Sequence, residues 1–199
     1  MKGHIFNLLE DFITEIAGFD AYEEILNKCQ LISGEGFISP ATYPDEDLVE
    51  IVAKTVEHLG ITVEIAHFEF GKWIFAHLIE LIPEEFTQVD HPITLLETLD
   101  HIHQVELKKL YPDADPPRFR CEKKDAQTAL FYYDSLRELK HLVDGVLLGM
   151  GTFFKYDITY TREAIPGERG NTVFQYELTF SPLSDVAVSE EQVAVGSVD

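Results

Sequence analysis

The sequence predicts an α+β fold in which an N-terminal helical part packs on a distal subdomain made of a small antiparallel four-stranded β-sheet and helices. Three observations carry this. Apolar residues recur at three- and four-residue spacing through most of the first 150 residues. A proline-rich stretch, Pro112 to Pro117, then breaks the helical run. Beyond it come short segments of β-like composition, the last two of which alternate with period two. At 199 residues and 45% hydrophobic content, the chain is long enough to bury a substantial core.

Ile5, Leu8, Leu9, Phe12, Ile13 and Ile16 form the apolar face of a first helix, stopped by Gly18. Tyr22, Ile25, Leu26 and Cys29 suggest a second. After a turn-rich run from Ile38 to Asp45, Asp45 or Asp47 is placed to cap a helix carrying Leu48, Ile51, Val52, Val56 and Leu59, which Gly60 ends. From Val63 to Ile82 the chain is apolar almost all round, as in a helix buried on several sides or lining a cavity, and Pro83 terminates it. A further helix spans about Thr94 to Leu110. Strand character follows at Phe119 to Cys121, Ala129 to Ser135, Phe153 to Tyr160 and Thr172 to Phe180, interrupted by a helix over Leu136 to Met150. One domain is expected over residues 1–183. Residues 184–199 are small and acidic and read as a disordered tail.

Fifteen basic against 36 acidic side chains give a formal net charge of −21, which repels nucleic acid and anionic lipid alike. The N-terminus lacks the apolar run of a signal peptide, and no stretch approaches the roughly 20 apolar residues of a membrane span. Cys29 and Cys121 have neither a disulfide framework nor zinc-ligand spacing around them. The expected setting is the cytoplasm.

Two constellations could carry chemistry. On the helix ending at Leu110, positions 96, 99, 103, 107 and 110 share one face; four are leucine and the fifth is His103. A histidine on such a stripe serves either as a core side chain bonded to a carbonyl or as an axial ligand to heme iron, with Nε2 on the metal and Nδ1 held behind it. His101 points elsewhere and reads as surface. The second is Tyr133-Asp134-Ser135-Leu136-Arg137, where strand alternation puts Tyr133, Ser135 and, if the extended form persists, Arg137 on one side. It reads either as the polar edge of a strand or as an anion site for paired carboxylates.

Taken in order, Met1-Lys2-Gly3 before an apolar helix, Leu99-Asp100-His101-Ile102-His103, Leu110-Tyr111-Pro112, Pro116-Pro117, Phe119-Arg120-Cys121 and Tyr133-x-Ser135-x-Arg137 resemble the H-NOX (heme nitric oxide/oxygen binding) family, over about residues 1 to 180. That family includes bacterial stand-alone sensors and the heme domain of soluble guanylate cyclase. The resemblance implies heme b buried between the helical and sheet portions, His103 as proximal ligand, and Tyr133, Ser135 and Arg137 on the propionates. It further implies that Pro117 or Pro116 presses on the porphyrin and that Asp45 pairs with the motif arginine. One departure stands out: Tyr111 comes eight residues after His103, one more than the family's spacing, and a π-bulge would absorb the extra residue. The insertion leaves open which proline touches the heme and bears on the choice between His103 and His101. Some relatives carry a cysteine-based zinc site near the C-terminus; no cysteine follows Cys121 here, so no zinc is expected.

Oxygen-binding relatives place a tyrosine where this chain has Leu142. The other positions resembling the distal wall are Ile5, Leu9, Ile74, Phe75, Leu78, Val143, Val146 and Leu147, and none donates a hydrogen bond from its side chain. The resemblance therefore implies a five-coordinate ferrous protein that binds NO and CO and excludes O2. NO would break the iron–His103 bond, and the resulting shift would regulate a separate protein, a histidine kinase or a cyclic-di-GMP enzyme. The rival readings are an O2-binding or redox-sensing heme protein, a heme enzyme such as a peroxidase, and a helical interaction module without cofactor. An enzyme would want a distal acid–base group that the expected pocket lacks.

Overall fold

A computed structural model describes residues 1–34 and 36–183. The expected tail at 184–199 lies outside the described residues. The helices are α1 (Gly3–Ala17), α2 (Phe19–Leu26), α3 (Asp45–Leu59), α4 (Val63–Ile79), the short α5 (Glu84–Thr87) and α6 (Pro92–His101). A π turn at Ile102–Glu106 leads from α6 into α7 (Leu107–Leu110). Strands β1 (Arg118–Lys123) and β2 (Thr128–Asp134) precede α8 (Lys140–Phe154), and β3 (Tyr156–Pro166) and β4 (Thr172–Pro182) come after it. The strands form one antiparallel sheet in the order β1-β2-β4-β3. The α+β class, with helices first and a four-stranded antiparallel sheet after the proline run, is the one the periodicities predict.

Local chemistry accounts for the element ends. Gly60 closes α3 in the left-handed conformation at φ +67°, which costs a glycine little. Thr62 caps α4 by accepting the Ile65 amide. Neither Asp45 nor Asp47 caps α3, contrary to expectation. The N-cap is Pro44, with Asp45, Glu46 and Asp47 inside the first turn, where their charges meet the positive end of the helix dipole. Both carboxylates are committed elsewhere: Asp47 is buried and accepts the amides of Ile32 and Ser33 at 2.7 and 3.1 Å.

Three boundaries move. Phe153 and Phe154 belong to α8 rather than β3, and α8 starts at Lys140 rather than Leu136. Arg137 lies in a turn, so the extended form does not persist to it. In the π turn the Leu107 amide reaches back to the Ile102 carbonyl, five residues earlier, which accommodates the extra residue as anticipated. The wide turn also rotates the residues beyond it. Leu96 is buried and Leu99 half-buried, but Leu110 is 73% exposed, so the stripe leaves the core at its end.

Two apolar cores result. The helical one gathers Phe6, Leu9, Phe12, Ile13, Ile51, Phe70 and Ile74. The other sets Leu95 and Leu96 of α6 and Val143, Leu147 and Met150 of α8 against the sheet residues Phe131, Tyr133, Phe174 and Tyr176. Helix α4 serves both, giving Phe70 and Ile74 to the first and Phe75 and Ile79 to the second. It approaches α8 backbone to backbone: a Cβ on Gly71 would stand 2.1 Å from the Leu142 carbonyl oxygen, and one on Gly145 2.0 Å from that of Phe68.

Candidate functional site

His103 sits within the π turn with its ring edge-on to Phe119 of β1, 4.8 Å between centroids. Its Nδ1 is 2.8 Å from the Leu99 carbonyl, which makes Nδ1 the donor and leaves Nε2 a lone pair with no protein partner among the described residues. Burial pushes the His103 pKa down, against the smaller opposing effects of the Leu99 carbonyl and Asp100. The ring is therefore neutral near pH 7, the form in which an imidazole binds a metal. His101 is exposed, beside Glu106 and the Phe86 ring. His141, on α8, faces Asp144 at 3.2 Å.

The neighbours of His103 tie its segment to the start of β1. Asp100 accepts the Phe119 amide at 2.9 Å, and Gln104 donates to the Pro117 carbonyl at 2.9 Å. Of the two prolines, Pro116 is buried and Pro117 half-buried, and Pro117 is the one held against the His103 segment. An aromatic series runs on from Phe119 to Tyr133 at 5.9 Å and from Tyr133 to Phe174 at 6.4 Å, linking the histidine to the second constellation.

That constellation is assembled at the end of β2. Tyr133 is buried and its hydroxyl accepts the Leu139 amide at 3.2 Å. Burial raises the Tyr133 pKa, so its hydroxyl stays protonated. Ser135 Oγ accepts the Arg137 amide at 3.2 Å, which folds the turn and stands in for the extended geometry the sequence suggested. Arg137 Nε donates to Asp45 at 2.6 Å and Nη1 to the Asp115 carbonyl at 2.8 Å. Asp45 also accepts the Met1 ammonium at 2.6 Å. Around Asp45, two cations, the Met1 ammonium and Arg137, face one carboxylate. The guanidinium has five N–H donors and does not spend them all here.

Of the apolar positions expected on the distal wall, Leu9 and Ile74 are buried in the helical core, with Ile5, Leu78 and Leu142 half-buried against it. Leu147 lies in the other core with Phe75 and Val143, while Val146 touches both. The set straddles the boundary between the cores. Sequence reasoning missed Met1 as a charged partner, Gln104 and Asp100 as tethers, and Phe119 as the ring against His103. The run Met1-Lys2-Gly3 was the only local sign of the first.

A neutral imidazole with a free lone pair, a guanidinium and two hydroxyls joined to it through aromatic rings, and apolar side chains are the chemistry a carboxylate-bearing metal macrocycle needs, so these residues fit heme. The class is that of a cofactor-binding α+β domain. The chain belongs to the Haem-NO-binding family, whose sequence model matches residues 2–162. Solved structures agree in fold. The H-NOX protein from K. algicida, unliganded and ferrous, is 23% identical with a TM-score of 0.79, covering 91% of this chain and 97% of that one. That from S. oneidensis in the Fe(II)NO state is 22% identical with a TM-score of 0.80, covering 91% and 99%. A point mutant of T. tengcongensis H-NOX is 22% identical with a TM-score of 0.81, covering 92% and 100%. No curated sequence gives a significant match. The family is one of heme-based gas sensors rather than enzymes. No helix of the described residues is long and apolar enough to cross a membrane.

Proposed function

We propose that this protein is a cytoplasmic bacterial nitric oxide sensor that binds heme b through His103 and anchors its propionates on Tyr133, Ser135 and Arg137. The observation that carries the reading is the Nδ1 bond from His103 to the Leu99 carbonyl, which presents Nε2 free and unprotonated. Bound heme, held by His103, would supply a ferrous iron able to coordinate NO or CO, and NO binding would loosen the hold of that histidine. Leu142 and its apolar neighbours offer bound O2 no hydrogen bond, which is the basis for excluding it.

His103 then governs the response. Asp100 and Gln104, on either side of this histidine, hold α6 and the π turn against the Pro117–Phe119 segment. Once the histidine is released, that segment and the proline beside it relax, and the helical and sheet portions shift relative to each other. The shift regulates a separate signalling protein, a histidine kinase or a cyclic-di-GMP enzyme.

Absorption spectroscopy after expression with heme available tests the reading. Wild type should show a Soret band that persists anaerobically as a five-coordinate ferrous species and changes on NO addition. His103→Ala should lose heme or recover it with added imidazole. Absence of a Soret band overturns heme binding, spectra unchanged by His103→Ala overturn the axial assignment, and a stable oxy spectrum in air overturns the choice of NO.

A further inference from the structure

Asp134 lies between the two hydroxyl residues of the anchor, and strand alternation turns its side chain to the opposite face of the sheet from theirs. There it meets the turn joining β3 to β4. Arg169 Nη2 and Asn171 Nδ2 both donate to Asp134 Oδ1, each at 2.7 Å, and Asn171 also reaches the Ser135 carbonyl at 3.4 Å. A third contact closes the loop from the same side: Glu138 Oε1 accepts the Thr172 amide at 2.9 Å.

The loop needs holding. Glu138 has a φ of +50°, a left-handed conformation that a non-glycine residue keeps only when its surroundings impose it. On the cofactor side the loop is fixed by Ser135 Oγ to the Arg137 amide and by the Tyr133 hydroxyl to the Leu139 amide. Asp45 and the Asp115 carbonyl grip Arg137 itself. The β3–β4 turn supplies the opposing grip. Its own shape is set by the Gly167 amide bonding to the Asn171 carbonyl at 2.8 Å. Arg169 Nε and Asn171 Oδ1 are buried with no protein partner among the described residues.

We infer that Arg169 and Asn171 are positioning residues for the anion anchor, clamping the Asp134–Glu138 loop from the sheet side so that Ser135 and Arg137 present their donors in one arrangement. The inference rests on the proposed role of the anchor in holding propionates. It makes the tip of the β3–β4 hairpin, far along the chain from any anchor residue, part of the cofactor's support.

The test compares Arg169→Ala, Arg169→Lys and Asn171→Ala with wild type and with Lys54→Ala, which breaks an exposed ion pair on α3. Transfer of heme to excess apomyoglobin gives the rate of loss. A charge-assisted bond of this kind predicts release about tenfold faster for Arg169→Ala. Arg169→Lys should lie between, and Lys54→Ala should match wild type. Amide hydrogen exchange at Arg137 and Leu139 in the chain without heme should rise in Arg169→Ala. If wild type binds no heme, the cofactor reading fails and exchange alone decides the clamp. Unchanged exchange at both amides, or heme loss within twofold of wild type, overturns the inference.

Discussion

Replacing Asp45 by asparagine probes the join between the first residues, α3 and the anchor. The carboxylate takes the Met1 ammonium at 2.6 Å and Arg137 Nε at 2.6 Å, so the variant leaves two cations facing each other across an amide. A hydrogen bond to a charged group contributes about 1.5–3 kcal/mol when sheltered, and an exposed ion pair below about 1 kcal/mol. With the Asp45 side chain 40% exposed and that of Arg137 25%, the screened sum is about 1–2 kcal/mol. Urea unfolding at pH 7 should show that loss. Acid supplies the second half of the test. Desolvation, the largest influence on Asp45, pushes its pKa up, but the bonds from Met1 and Arg137 outweigh it and hold the carboxyl below its usual value. A depressed carboxyl stabilises fully above its unfolded pKa of about 3.9, and the contribution fades as pH falls through the folded value. The gap between wild type and Asp45→Asn should therefore close below about pH 4. A gap under about 0.3 kcal/mol at pH 7, or one that persists undiminished to pH 2, refutes the reasoning.

Three further outcomes are expected. Gly145→Ala drives a methyl to 2.0 Å from the Phe68 carbonyl oxygen and 2.7 Å from the Lys72 amide nitrogen, both backbone, so calorimetry should show a loss of at least about 1–3 kcal/mol; wild-type stability would mean the helices do not touch there. Asp113 is held at a pKa of about 2, first by its hydrogen bond from Lys2 and then by Thr42. Its contribution should be present above about pH 4 and vanish towards pH 2, so acid titration curves of wild type and Asp113→Asn should converge there; parallel curves throughout count against the Lys2 contact. Leu142→Tyr adds a hydroxyl donor to the proposed distal wall and should yield an oxy spectrum stable in air. Rapid oxidation identical to wild type would remove Leu142 from that wall.

Legibility in the sequence depends on the range of the interaction. The helical faces, the Gly60 stop and the four strands are set by residues a few positions apart, and composition exposes them. The π turn was legible for a different reason, since one residue too many between His103 and Tyr111 must go somewhere, and a widened turn is the least disruptive place. Its side effect was not foreseen. The leucine stripe assumes an unbroken helical period, and the widened turn breaks it, which is why Leu110 points to solvent. The caps failed similarly. An aspartate before an apolar run is a capping signal only if nothing stronger claims its carboxylate, and Asp45 is claimed by Arg137, 92 residues away.

The anchor shows where local reading stops. Tyr133, Ser135 and Arg137 are close enough in sequence to be recognised as a group, yet the expected strand alternation is not what unites them. A turn does, closed by Ser135 on the Arg137 amide and by Tyr133 on the Leu139 amide. The groups that orient the turn come from Asp45 in the first turn of α3, from the loop before β1 and from the β3–β4 hairpin. Each arrives by topology rather than by spacing: antiparallel pairing of β2 with β4 sets Asp134 opposite Val173 and so delivers Asn171 and Arg169 to it. A three-residue motif is thus sufficient to suggest that an anion binds. Whether its donors converge depends on a strand order that no part of the motif encodes.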